Sequence, residues 1–167
     1  MKALYLVRHA KSSWKDASLS DRDRPLNKRG ERDAPRMAEF LSEKITCPDT
    51  FICSPSRRTK DTAASFLQVF GKTDADLKLE EDLFHGYEED MANILKHVDG
   101  NYQSAMLFVH NPGITDYVNE LTGSNILNIP TCGVAGIKLE INNWAEINKC
   151  PAELLFYYYP KGLNLPS

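Results

Sequence analysis

The chain has 167 residues, 42% hydrophobic and 26% charged, a length and balance that fit one soluble domain with a full core, spanning 1–167. Its net charge of -3 gives no reason to expect nucleic acid or an anionic membrane as a partner. Met1-Lys2 leads straight into a strand pattern, and no run of 18 apolar residues follows, so a cytoplasmic protein is expected.

The first element is the apolar run Leu4-Tyr5-Leu6-Val7, which ends abruptly in Arg8-His9-Ala10. Runs of this length and composition read as buried strands of an α/β sheet. Lys11 to Pro25 follows, a long charged loop without apolar period. Loops of that length in compact domains are usually functional or disordered, and an ordered one here would wall a site. Apolar residues then recur at i, i+3, i+4 and i+7 in four segments, starting at Ala34, Ala63, Met91 and Ile114. Each predicts an amphipathic helix. Pro35 places the regular start of the first helix near itself, with Asn27 to Asp33 as a looser entry turn.

Between the helices, Thr50–Cys53 and Ala105–Val109 predict central strands, and Leu77–Leu79 a weaker one. Val134–Ile141 and Glu153–Tyr159 predict an antiparallel pair at the sheet margin. The expected fold is therefore α/β and three-layered: a mostly parallel central sheet, helices on both faces, and antiparallel structure at the margin. The four cysteines, Cys47, Cys53, Cys132 and Cys150, form no C-x-x-C pair and match no zinc spacing. They are expected to be reduced and mostly buried.

In such sheets ligands bind beyond the carboxyl ends of the strands. Three of those ends carry cations or imidazoles: Arg8-His9, then Ser54-Pro55-Ser56-Arg57-Arg58, then His110-Asn111-Pro112-Gly113. Ser54 and Asn111, each before a proline, predict N-caps that would aim helix N-termini at the same edge. If the sheet brings these ends together, they form a cationic pocket sized for one phosphoryl group.

These motifs resemble the histidine phosphatase superfamily, the phosphoglycerate-mutase-like fold. Arg8-His9-Ala10 is similar to its Arg-His-Gly/Ala signature. Ser54-Pro55 with Arg58 and Thr62 matches its second motif, and His110 its second histidine. The run Arg8 to Trp14, with Asp23-Arg24-Pro25-Leu26 and Arg29-Gly30, resembles the small SixA-type phosphohistidine phosphatases. The resemblance runs from Met1 to about Gly123. It implies that His9 is the nucleophile, forming a phosphohistidine intermediate, and that Arg8, Arg58 and His110 hold the phosphoryl oxygens. It further implies that Arg24 adds a substrate-binding cation from the loop, and that neither metal nor cofactor is needed.

Physical chemistry is compatible with those roles. An imidazole is a competent nucleophile when one nitrogen donates to a fixed acceptor, here expected to be a backbone carbonyl, and the other keeps its lone pair. Two arginines and a charged histidine would compensate the equatorial oxygens. A general acid is harder to place. His85 is the candidate proton donor, with a solvated loop histidine as the alternative; Glu88, Glu89 and Asp90 fit the first turn of the next helix. A missing acid suits a P–N bond to imidazole, whose leaving nitrogen takes a proton from water, although it also suits activated aryl phosphates.

The substrate is expected to be a phosphohistidine-bearing protein. The alternatives are a small-molecule phosphomonoester, a non-catalytic phosphate-binding signalling module, and a sugar-phosphate mutase, for which the chain lacks lid segments. His97 suits a helix C-terminus. Arg57 reads as a surface neighbour of Arg58. Trp14 could touch a protein substrate, although a loop tryptophan more often packs on its own domain. Cys53 to Arg58 has four intervening residues and no glycine, unlike the phosphate loop of cysteine-dependent phosphatases.

Overall fold

A computed structural model describes residues 1–163; the last four residues of the expected 1–167 domain lie outside the described residues. Six strands form one sheet: β1 (Lys2–Arg8), β2 (Thr50–Cys53), β3 (Leu77–Leu79), β4 (Ser104–Val109), β5 (Val134–Leu139) and β6 (Ala152–Tyr158). Their order is β3-β2-β4-β1-β5-β6. The first four run parallel, while β5 is antiparallel to both β1 and β6. This is the expected mixed, mostly parallel α/β sheet, with the antiparallel pair at one margin.

The helices are α1 (Lys28–Ser42), α2 (Arg57–Val69), α3 (Glu88–Leu95), α4 (Gly113–Thr122) and the short α5 (Pro160–Leu163). Strand alternation decides which of them covers which face. Leu4 and Leu6 of β1, with Leu107 and Val109 of β4, pack against α3 and α4 around the buried Trp144. Tyr5 and Val7, with Met106 and Phe108, pack against α1 and α2 through Met37, Leu41, Phe66 and Leu67. Both faces of the central strands are therefore apolar, which is why they read as continuous hydrophobic runs.

Helix starts differ from the sequence expectation in three places. α1 begins at Lys28, and Asn27 caps it by accepting from the Gly30 N–H at 2.9 Å. Pro35 lies inside the helix; both it and Glu31, whose carbonyl it leaves without an amide, are exposed, so water can satisfy that oxygen. α2 is capped by Ser56, whose side chain accepts from the Thr59 N–H, and not by Ser54, whose hydroxyl meets His110 instead. α4 is preceded by Pro112 at its N-cap position, after a cis Asn111-Pro112 bond, so Asn111 is not the cap.

Among the described residues, no helix is long and apolar enough to cross a membrane. Cys53 and Cys132 are buried, Cys47 is exposed and Cys150 half-buried, and all four are free thiols.

Candidate active site

Register puts the chemistry on one line. Arg8 of β1 pairs with Val109 of β4, and Phe108 of β4 with Cys53 of β2. The residues that leave these three adjacent strands are His9, His110 and Ser54. The His9 N–H donates to the Val109 carbonyl at 3.2 Å, and the Ser54 N–H to the Phe108 carbonyl at 3.0 Å. Backbone pairing thus continues past each strand end and fixes where the side chains start.

His9 is 8% exposed. Its Nδ1 lies 2.7 Å from the Ala10 carbonyl. A carbonyl only accepts, so Nδ1 carries the proton and Nε2 keeps a lone pair. The Ala10 N–H donates to Thr62 Oγ1 at 2.9 Å, and that hydroxyl donates to the Arg58 carbonyl at 2.7 Å. One threonine of α2 therefore ties the turn after β1 to the helix that carries Arg58. The Thr62 of the sequence motif has a mechanical role that the motif alone did not explain.

His110 faces His9 with ring centroids 5.2 Å apart. Its Nε2 lies 2.7 Å from Ser54 Oγ and its Nδ1 3.5 Å from Arg58 Nη2. Burial lowers its pKa to about 4, with the Arg58 charge adding to that and Asp21 opposing it. Burial likewise lowers His9 to about 3, against the opposing bond to Ala10. Without a phosphoryl group His110 is therefore held neutral near pH 7, by burial first and by the Arg58 charge second. A phosphoryl dianion placed beside it would favour its protonation.

The arginines are held from behind. Arg8 Nη1 donates to the Ile129 carbonyl at 2.7 Å. Arg58 donates to the Asp21 carbonyl at 2.6 Å and to its carboxylate at 3.1 Å. Each keeps a buried Nε–H with no acceptor among the described residues. Burial lowers the pKa of both guanidiniums, although arginine stays charged at physiological pH.

The long loop after β1 forms a wall of the cleft. Arg24 is nearly buried; its Nε and Nη2 donate to Asp21 Oδ1 at 3.1 and 2.9 Å, and its Nη1 donates to Ser12 Oγ at 2.8 Å. Burial pushes the Asp21 carboxyl up, but the hydrogen bonds and charges of Arg24 and Arg58 outweigh it and hold the carboxyl below its usual range. The cleft that results is about 380 Å³ and is lined by Arg8, His9, Arg24, Arg58, His85 and His110, among others. All six residues singled out in the sequence stand in it. His85 is exposed, and its ring is tilted by 54° to that of Phe84 with centroids 4.3 Å apart.

Sequence reasoning missed Asp21 as the partner of two cations, and Phe84, Tyr87 and Thr131 as lining residues. Loop positions carry no periodicity that would have flagged them. Of the discounted residues Trp14 lines the cleft, while Arg57, His97 and Cys53 stand apart. Arg57 is exposed and faces Asp61 at 3.7 Å. His97 is exposed and its Nδ1 meets the Asn93 carbonyl at 2.7 Å. Burial raises the Cys53 thiol far above its usual range, and its sulfur turns toward the Ser54 carbonyl at 3.1 Å. Among the described residues, no group of three or more His, Cys, Asp or Glu could hold a metal ion.

Residues 4–106 match the model of the histidine phosphatase superfamily, branch 1. The chain belongs to that superfamily. An uncharacterized chloroplastic protein of Arabidopsis thaliana is 34% identical over 151 residues, 86% of this chain and 69% of its own length. The fold is that of SixA from Agrobacterium tumefaciens, with a TM-score of 0.82 at 22% identity over 95% of this chain and 98% of that one. The protein histidine phosphatase SixA complexed with tungstate superposes with a TM-score of 0.80 at 18% identity, over 96% of this chain and 99% of that one.

Proposed function

We propose that this superfamily member is a metal-independent phosphatase that hydrolyses phosphohistidine in a protein, with His9 as nucleophile. The observation that carries the reading is the state of His9: neutral, proton fixed on Nδ1 by the Ala10 carbonyl, and set beside His110 and two buried guanidiniums. In the first step His9 Nε2 forms a bond to phosphorus as the P–N bond of the substrate breaks. The departing imidazole nitrogen takes a proton from water or from His85. In the second step water attacks the phosphohistidine, releasing phosphate and returning the electron pair to Nε2. Arg8, Arg58 and His110, which line the cleft, hold the equatorial oxygens through both steps. Arg24 adds positive potential from the wall.

A SixA structure of the same fold is complexed with the oxyanion tungstate, which supports an oxyanion as ligand. Among the described residues no inserted domain encloses the cleft, which supports a side chain presented by another protein over a small metabolite.

Brief incubation with a labelled phosphohistidine protein is expected to leave acid-labile, base-stable label on His9. His9→Ala should abolish both label and turnover, and Arg58→Ala should lower turnover at least ~100-fold. Wild-type turnover by clean His9→Ala rejects the nucleophile. Small phosphate esters consumed far faster than the protein would make the chain a small-molecule phosphomonoesterase. Phosphate binding without label or turnover would make it a signalling module.

A further inference from the structure

Trp14 is anchored although it is exposed. The Ser13 N–H donates to the Pro25 carbonyl at 2.8 Å, the Asn27 N–H donates to the Lys11 carbonyl at 2.9 Å, and Ser12 bridges to Leu26. The backbone leading into Trp14 is thereby pinned to the segment that enters α1. One face of its indole covers the Arg24 guanidinium, with Cζ 3.5 Å from the ring centroid. That guanidinium is itself fixed by Asp21 and Ser12. Yet Trp14 is 73% exposed, and it lines the same cleft as His9. A large ring held with one face on a cation and the rest in water is a preformed stacking surface.

We propose that Trp14 is a specificity-determining residue that stacks its free face on a flat aromatic or heteroaromatic group attached to phosphorus, and that Arg24 is the positioning residue that holds the indole. The proposal rests on the reading of the cleft as a phosphoryl pocket. It selects phosphoryl compounds with planar leaving groups, imidazole or aryl, over aliphatic and sugar esters. Arg24 directs its donors back to Asp21 and Ser12, so it acts through the ring more than through a fork on substrate oxygens.

Phenylphosphonate and methylphosphonate test this without turnover, because their P–C bonds keep the anionic head and differ in the attached group. By calorimetric titration the wild-type chain is expected to bind phenylphosphonate about two- to twelvefold more tightly, the range given by one aromatic pair. Trp14→Leu should bring that ratio to about one with methylphosphonate affinity unchanged, which also shows that the pocket is intact. Trp14→Phe should keep most of the preference. Arg24→Lys, which offers the ring no planar partner, should lower it. A wild-type ratio in Trp14→Leu, or no preference in the wild type, overturns the proposal. If neither phosphonate nor inorganic phosphate binds the wild type, the phosphoryl pocket falls and this proposal with it. Binding of both without preference removes the Trp14 assignment alone.

Discussion

Two buried imidazoles set how this molecule responds to acid. Burial, with neighbouring positive charge, places His110 near about 4 and His9 near about 3, against an ordinary 6.5. An unfolded chain takes up both protons near 6.5, so between that pH and the native values the unfolded state binds more protons. The stability these neutral rings contribute is complete above pH 6.5 and is lost as pH falls toward 4 and 3. Urea midpoints should drop between pH 7 and pH 4, and a His9→Asn, His110→Asn double variant should drop less. Equal slopes would show that the rings are not the source. Arg8, His9, Arg58 and His110 were legible because strand ends announce themselves as breaks in apolar runs. Asp21 was not, because its partner Arg58 lies 37 positions away and an aspartate in an alternating charged loop looks like any solvated one.

α1 shows how a packing contact overrides propensity. Gly30 stands in its first turn, where alanine would favour the helix by about 1 kcal/mol. A Cβ there would overlap the Lys11 backbone carbonyl. Gly30→Ala is therefore expected to lower the melting temperature and to weaken phosphate binding, since Lys11 leads into the wall that carries Trp14. A raised melting temperature with unchanged binding would refute the contact. Asn27→Ala should cost about 1 kcal/mol through the lost cap, read from the urea midpoint, without that binding defect. The four helices were legible because their buried stripes recur at helical spacing. The start of α3 was legible from its acidic first turn, Glu88 to Asp90; those of α1, α2 and α4 were not, because Pro35, Pro55 and Pro112 were each read as a boundary. One is tolerated on an exposed face, one precedes the true cap by a residue, and one follows a cis bond that no residue pattern marks.

Across the whole molecule, two loops from different strands meet beside the cleft-lining Phe84. Arg22 of the loop after β1 makes a two-pronged pair with Glu81 beyond β3, at 2.5 and 2.8 Å, and its guanidinium lies 5.4 Å from the Phe84 ring centroid. The pair is solvent-exposed, and such pairs add little to global stability. Glu81→Gln should leave the melting temperature unchanged while hydrogen exchange quickens around residues 14–24. Unaltered exchange would mean that the loop stands without the pair. Strand–helix alternation made the layered architecture legible, but not the order of the strands. Apolar runs such as Thr50–Cys53 and Ala105–Val109 are interchangeable as patterns, and only the packed core distinguishes centre from edge.

The two tryptophans sit at opposite ends of the sheet. Trp14 borders the cleft, while Trp144 is fully buried beyond the other end, its Nε1–H on the Tyr102 carbonyl and Lys2 over its ring. Their fluorescence should therefore separate by colour: a water-facing indole emits to the red and a core indole to the blue. The native chain thus carries its own pair of optical reporters, one for occupancy and one for melting, with no dye attached.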